Sequence, residues 1–172
     1  MIEFNDTKRI MRLSFILYDQ GSVMKVCSVD MQGSEAVLCI LSLSNDGLFD
    51  IHDCRQRKLL ISNSDSTEDV RSFQFTFKKL MSDYGVDNIV IRERPKKGKF
   101  AGGAVGFKLE TAIQLIAELN VEIMAPTLIK EQNKKVPIYI DPKEAGLKKF
   151  QESAFQTGFA WLHHQEYLKT QA

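Results

Sequence analysis

Charge of one sign, cysteine and long apolar runs are all scarce in this chain, and each scarcity excludes a class of protein. The 23 lysines and arginines stand against 22 aspartates and glutamates, a formal charge of +1. No global field therefore holds a polyanion, and any nucleic-acid binding has to come from a local patch. The three cysteines, Cys27, Cys39 and Cys54, are odd in number and lack metal-type spacing. That excludes a disulfide framework and suits reduced, buried thiols in a cytoplasmic protein. No apolar run approaches the roughly 18 residues of a membrane span. Leu13 to Tyr18 is cut off by Asp19 too early for a secretory core, so the expectation is a cytoplasmic protein with no membrane association. Internal repeats and low-complexity tracts are absent as well.

What is present is enough apolar material for one full core: 172 residues, 44% hydrophobic and 26% charged. Residues 1–23 read as an N-terminal extension without clean periodicity, and Met24 as the functional start. The rival reading is an extra edge strand through Leu13–Tyr18. From Met24 the order of elements is legible. A strand over 24–30, a turn at Met31–Ser34, a strand over 35–43, the turn Ser44-Asn-Asp-Gly47 and an extended third region through Leu60 make an antiparallel meander.

Ser66 then caps a helix whose apolar positions Val70, Phe73, Phe77, Leu80, Met81 and Tyr84 recur at helical spacing, with Gly85 as its stop. A strand over 88–93 follows, then a helix from about Ala104 with Val105, Leu109, Ala112, Ile113, Ile116 and Leu119 inward. A strand over Val121–Ala125 leads through Pro126 into a brief helix. The last helix is expected from about Lys143 to Tyr167. This β-β-β-α-β-α-β-α order predicts an α/β domain over residues 24–172 with a mixed five-stranded sheet, three antiparallel meander strands and then parallel ones, flanked by helices. The fourth strand is expected parallel beside the first.

Two acids close two of these strands, Asp30 the first and Glu93 the fourth. Ionised carboxyls are costly to bury unless they pair or bind a cation, so two of them at one lip of a sheet point to a divalent metal. The expected pairing of strands brings them side by side. The plainer reading is that Asp30 starts a turn and Glu93 pairs with Arg92 or Arg94. Along the fourth strand Ile89, Ile91 and Glu93 share one face.

This order of elements, with its first-strand Asp and fourth-strand Glu, resembles the ribonuclease H-like superfamily and within it the RuvC-type Holliday-junction resolvases. Pro126-Thr-Leu-Ile-Lys130 looks like the start of their short helix, and Glu152 through His163 looks like their final acidic, alanine-rich helix. The phrases Phe73-Gln-Phe-Thr-Phe-Lys-Lys-Leu-Met81 and Ile91 through Glu110 resemble the bacterial domain-of-unknown-function family 3010. The resemblance spans about residues 24–165. It implies a metal-dependent phosphodiesterase, a nuclease acting on structured or branched DNA or on RNA. Mg²⁺ or Mn²⁺ is the implied cofactor, with Asp30, Glu93 and Glu152 as catalytic residues and metal ligands. In such a centre two ions activate water and stabilise the leaving oxygen of an in-line displacement.

One departure is visible. Resolvases of this type place a second acid one turn after the first on the final helix, and here that position is Phe155. The alternative is therefore a non-catalytic nucleic-acid- or protein-binding module with a degenerate nuclease site. On a helical wheel Leu147, Phe150, Ala154, Gly158 and Trp161 form the buried arc, Glu152 falls at its edge, and Gln151 and Glu144 lie nearer its centre.

The basic residues Arg92, Arg94, Lys96, Lys97, Lys99 and Lys108 surround a glycine-bearing loop and the helix start that follows it, a phosphate-contact pattern. Lys130 is a further phosphate contact. The nucleic-acid-binding set is thus Arg92, Arg94, Lys97, Lys99 and Lys130, with Phe100 as a stacking candidate. Gly98-Lys-Phe lacks the Gly-Lys-Ser/Thr ending of a Walker loop. Phe155, Phe159 and Trp161, on overlapping faces of the last helix, suit either a homodimer surface or core.

Overall fold

The computed structural model describes residues 22–172, so the expected extension over 1–23 and the alternative strand through Leu13–Tyr18 lie, but for Ser22 and Val23, outside the described residues. Six strands form one mixed sheet: β1 Met24–Gln32, β2 Glu35–Leu43, β3 Phe49–His52, β4 Lys58–Leu60, β5 Asn88–Arg92 and β6 Asn120–Met124. The order is β3-β2-β1-β5-β6, with β4 also paired to β2. Strands β1 to β4 are antiparallel neighbours, while β1–β5 and β5–β6 run parallel. The mixed architecture and the parallel seating of β5 against β1 are as expected.

The third meander strand differs from expectation: it is two short strands that share the outer edge of β2. β3 pairs with the end of β2 through Leu43 and Phe49, and β4 with its start through Glu35 and Leu60. Between them the chain leaves the ladder, Cys54 turns inward and Arg57 bonds Asp53 at 3.3 Å.

Among the described residues four helices cover the sheet: α1 Thr67–Tyr84, α2 Ala104–Gln114, α3 Pro126–Lys135 and α4 Glu152–Gln171, the last preceded by a 3-10 turn over Lys149–Gln151. Helix α1 begins and ends where the sequence says. The Ser66 hydroxyl accepts the Asp69 amide, and Gly85, at φ 61°, donates to the Met81 and Ser82 carbonyls. A left-handed residue here is cheapest as glycine. Helix α4 starts nine residues later than the expected Lys143. The Asp141 carboxylate accepts the Lys143 amide at 2.8 Å and Gly146 takes φ 82°, which folds residues 141–147 into turns.

Alternation along the strands divides the core in two. Cys27, Val29 and Met31 of β1 and Ile89 and Ile91 of β5 face α1 and α2, packing on Phe73, Phe77, Leu80, Leu109 and Ile113. Val26 and Val90 face the other way, onto Ile129 of α3 and Phe155 and Phe159 of α4. Helix α4 lies close against the sheet because Gly158 has no side chain. A Cβ there would come within 2.6 Å of Leu41 Cδ1 and 2.8 Å of Ser28 Oγ. The buried Ser28 hydroxyl donates to the Ala154 carbonyl at 2.6 Å, which ties β1 to α4 by a polar contact inside an apolar layer.

Candidate functional site

The carboxyl end of β1 delivers Asp30 to the α4 side of the sheet, since Asp30 continues the alternation of Val26 and Ser28. Its surroundings agree. Gln32, two residues on and on the same face, donates from Nε2 both to Asp30 Oδ2 and to the Phe150 carbonyl, each at 2.9 Å. One amide group thereby ties the strand-end carboxylate to the start of α4. Sequence reading missed Gln32, although the period of two places it beside Asp30.

The parallel register is Val26↔Asn88 through Val29↔Ile91. Continued by one residue, it sets Arg92, and not Glu93, next to Asp30. Arg92 shares the face of Val90, which packs on the α4 layer. Glu93 follows the strand and donates its amide to the Met124 carbonyl at 3.0 Å; by alternation it falls to the face of Ile89 and Ile91. The strands pair as expected; by alternation, Asp30 and Glu93 fall to opposite faces, because one residue of register exchanges the faces.

Glu93 finds a different neighbour. Burial pushes the Glu110 carboxyl of α2 above the usual carboxylate range; Lys96 opposes this, Glu93 adds to it, and Arg94 opposes it. Glu93 is thus near a second acid that sequence reading did not single out, with two cations alongside. Arg94 is seated by glycines. A Cβ at Gly106 would stand 2.5 Å from Arg94 Nη1, and one at Gly102 3.0 Å from its Nε. The glycines of this loop make room for a guanidinium of the same chain.

Glu152 is exposed as the first residue of α4, where a carboxylate is favoured by the helix dipole. Phe155, one turn on, is fully buried against Phe49 and Phe159. Gln151 is buried too, donating to the Leu38 carbonyl at 2.8 Å and accepting the Lys148 amide at 3.1 Å. Lys97, Lys99 and Lys130 are exposed. Phe100 is 81% exposed, with Lys99 Nζ 5.9 Å from its ring centre. Lys108 is committed elsewhere, to the Ser64 carbonyl at 3.0 Å and to Asp65. It borders a groove of about 870 Å³ between α1 and α2, lined by Val70, Phe107 and Leu115, that shares no residue with Asp30, Glu93 or Glu152.

A two-metal centre needs several carboxylates converging on one point. Among the described residues no group of three or more His, Cys, Asp or Glu is arranged to hold a metal ion. The donors present do not fit such a centre: Asp30 accepts the Gln32 amide, and Glu93 lies near Glu110 with Lys96 and Arg94 alongside. Among the described residues no helix is long and apolar enough to cross a membrane.

A family model described as a protein of unknown function, DUF3010, matches residues 24–161. No curated protein matches the chain in sequence. Among solved structures, the chain is similar to Thermus thermophilus RuvC at a TM-score of 0.63 and 13% identity, over 86% of this chain and 96% of that one. Thermus thermophilus RuvC in complex with Holliday junction substrate gives a TM-score of 0.60 at 14% identity, with the same coverage. The yeast mitochondrial Holliday junction resolvase Ydc2 gives 0.57 at 11% identity, over 86% of this chain and 82% of the other. At these identities the likeness is one of fold: the chain has the RuvC-like, ribonuclease H-like architecture.

Proposed function

The chain belongs to the DUF3010 family, and we propose that it binds structured nucleic acid, a branched DNA or an RNA, at the carboxyl end of its sheet without being organised to cleave it. The observation that carries this reading is the combination of a RuvC-like frame over 86% of the chain with no converged set of acids among the described residues. One neighbour of that frame was solved on a Holliday junction, which supports branched DNA as a ligand class. Arg92, Arg94, Lys97, Lys99 and Lys130 supply the cations on this reading, and Phe100 an exposed ring for a base.

The test is fluorescence anisotropy with labelled four-way junction, plain duplex and hairpin RNA, run beside a cleavage assay in Mn²⁺. Expected are binding that weakens as salt rises, preference for a structured ligand over duplex, and intact substrate. Absence of binding to all three at low salt overturns the reading. Cleavage that requires Mg²⁺ or Mn²⁺ and is abolished by Asp30→Asn replaces it with a nuclease whose ions are held by Asp30, Glu93 and Glu152.

A further inference from the structure

We propose that Arg92 is a built-in cation through which this site holds a phosphate group without a metal ion. The inference deepens the nucleic-acid-binding reading and rests on it for the identity of the ligand. Its first support is position. The register that pairs Val29 with Ile91, continued by one residue, sets Arg92 in line with Asp30 on the α4 face, where a guanidinium disfavours a divalent cation and attracts an anion.

The second support is unsatisfied chemistry. Arg92 Nη1 is buried and has no hydrogen-bond partner among the described residues. Nor does Arg92 join any of their ion pairs. A buried donor without an acceptor is costly, and its removal from water is offset when an anion completes it. The planar fork of an arginine matches two oxygens of a phosphate, and Arg92 as a whole is only half-buried.

The third support is that Asp30 does not occupy this guanidinium. Asp30 Oδ2 already accepts the Gln32 amide, which in turn is anchored on the Phe150 carbonyl. The carboxylate is thereby held by an internal donor on the same face as Arg92. The same phosphate chemistry is offered by a nucleic-acid backbone and by free pyrophosphate, so the experiment carries both.

Wild-type protein, Arg92→Gln and Arg92→Lys are compared in EDTA and in Mg²⁺, by anisotropy with a labelled four-way junction and by the thermal shift caused by pyrophosphate. Circular dichroism establishes that each variant is folded. Expected is wild-type binding of both ligands in EDTA, weakened by roughly tenfold or more in Arg92→Gln. Arg92→Lys should recover part of the affinity, as a charge without the fork; it also serves as the test should Arg92→Gln fail to fold. Wild-type binding of the junction only with Mg²⁺, or equal affinity in wild type and both variants, overturns the inference and leaves nucleic-acid binding standing. Metal-free, Arg92-dependent binding of pyrophosphate with no binding of the junction does the reverse. Binding of neither ligand overturns both.

Discussion

At the carboxyl end of the sheet, the two faces receive opposite chemistry from almost the same stretch of chain. On the α4 face, Asp30 is bonded to Gln32 and, with the β1–β5 register continued by one residue, lines up with Arg92. On the α2 face, Glu93 acts on Glu110, with Lys96 and Arg94 as counter-charges and two glycines seating the Arg94 side chain. Residues 92 and 93 are neighbours in sequence and belong to different sites. The first face carries one carboxylate and one arginine with no ion pair between them; the second brings two carboxylates near two cations. Neither arrangement leaves a bare acidic cluster for metal, and each leaves a buried guanidinium nitrogen without an acceptor among the described residues, Arg92 Nη1 on the first face and Arg94 Nη1 on the second.

The largest expected effect comes from forcing the α4 face to carry a second acid. Phe155→Asp removes a fully buried ring packed on Phe49 and Phe159. It should cost at least the about 3–5 kcal/mol of a buried phenylalanine truncation, and more for the stranded carboxylate. A thermal melt by circular dichroism should show loss of the cooperative transition. A stable Phe155→Asp variant would mean that the α4 face can host a second acid, and would weaken the contrast between the faces.

The same substitution on the two faces should then give unequal results. Gly158→Ala drives a Cβ into Leu41 and Ser28 beneath α4 and should cost about 1–3 kcal/mol. Gly106→Ala meets chiefly the tip of Arg94, a side chain that can move, so its cost in urea unfolding should be under about 1 kcal/mol. Equal costs would mean that Arg94 is held as rigidly as the β1–α4 contact. Ser28→Ala removes the hydroxyl that joins β1 to Ala154 and should lower stability by about 1 kcal/mol, measurable by the same titration.

The smallest effects are in pH dependence, and the faces differ in sign. On α4, burial lowers the His163 pKa, with Glu166 opposing. The unfolded chain therefore takes up that proton first, and stability declines as pH falls below about 6.5. On α2 the raised Glu110 pKa, caused first by burial, means that the folded state holds its proton longer. Its contribution is present below the ordinary carboxylate value of about 4.3 and is lost as pH rises through the raised one. Urea midpoints followed from about pH 8 to about pH 4 should show the first slope flattened in His163→Gln and the second in Glu110→Gln. Unchanged slopes would assign the pH dependence to other groups.

Much of the fold was legible in the sequence, for local reasons. Val70, Phe73, Phe77, Leu80 and Met81 recur at the helical period, Ser66 and Gly85 carry capping chemistry, and the turn at Gly47 separates β2 from β3. The start of α4 was misplaced because Leu147 and Phe150 extend its apolar arc backwards, while the Asp141 and Gly146 turns that break the helix act against that periodicity. The site was legible only in part. Asp30 and the cations around Arg92 could be named from strand ends and charge. Gln32 could have been found from the period of two within β1, and Glu110 from its place between the buried Gly106 and Ile113 of α2 only once α2 was docked.

By itself the sequence determined most of the elements, though not the split of the third strand or the start of α4, and with them their order and the parallel return of β5 to β1, because hydrophobic period, caps and turn residues act over a few neighbouring positions and the handedness of a crossover leaves few alternatives. Only the tertiary structure decided which charged residue stands beside Asp30. Register between strands more than 60 residues apart is set by how both faces pack on their helices. With a period of two, one residue of register is the difference between a pair of acids and an acid beside an arginine.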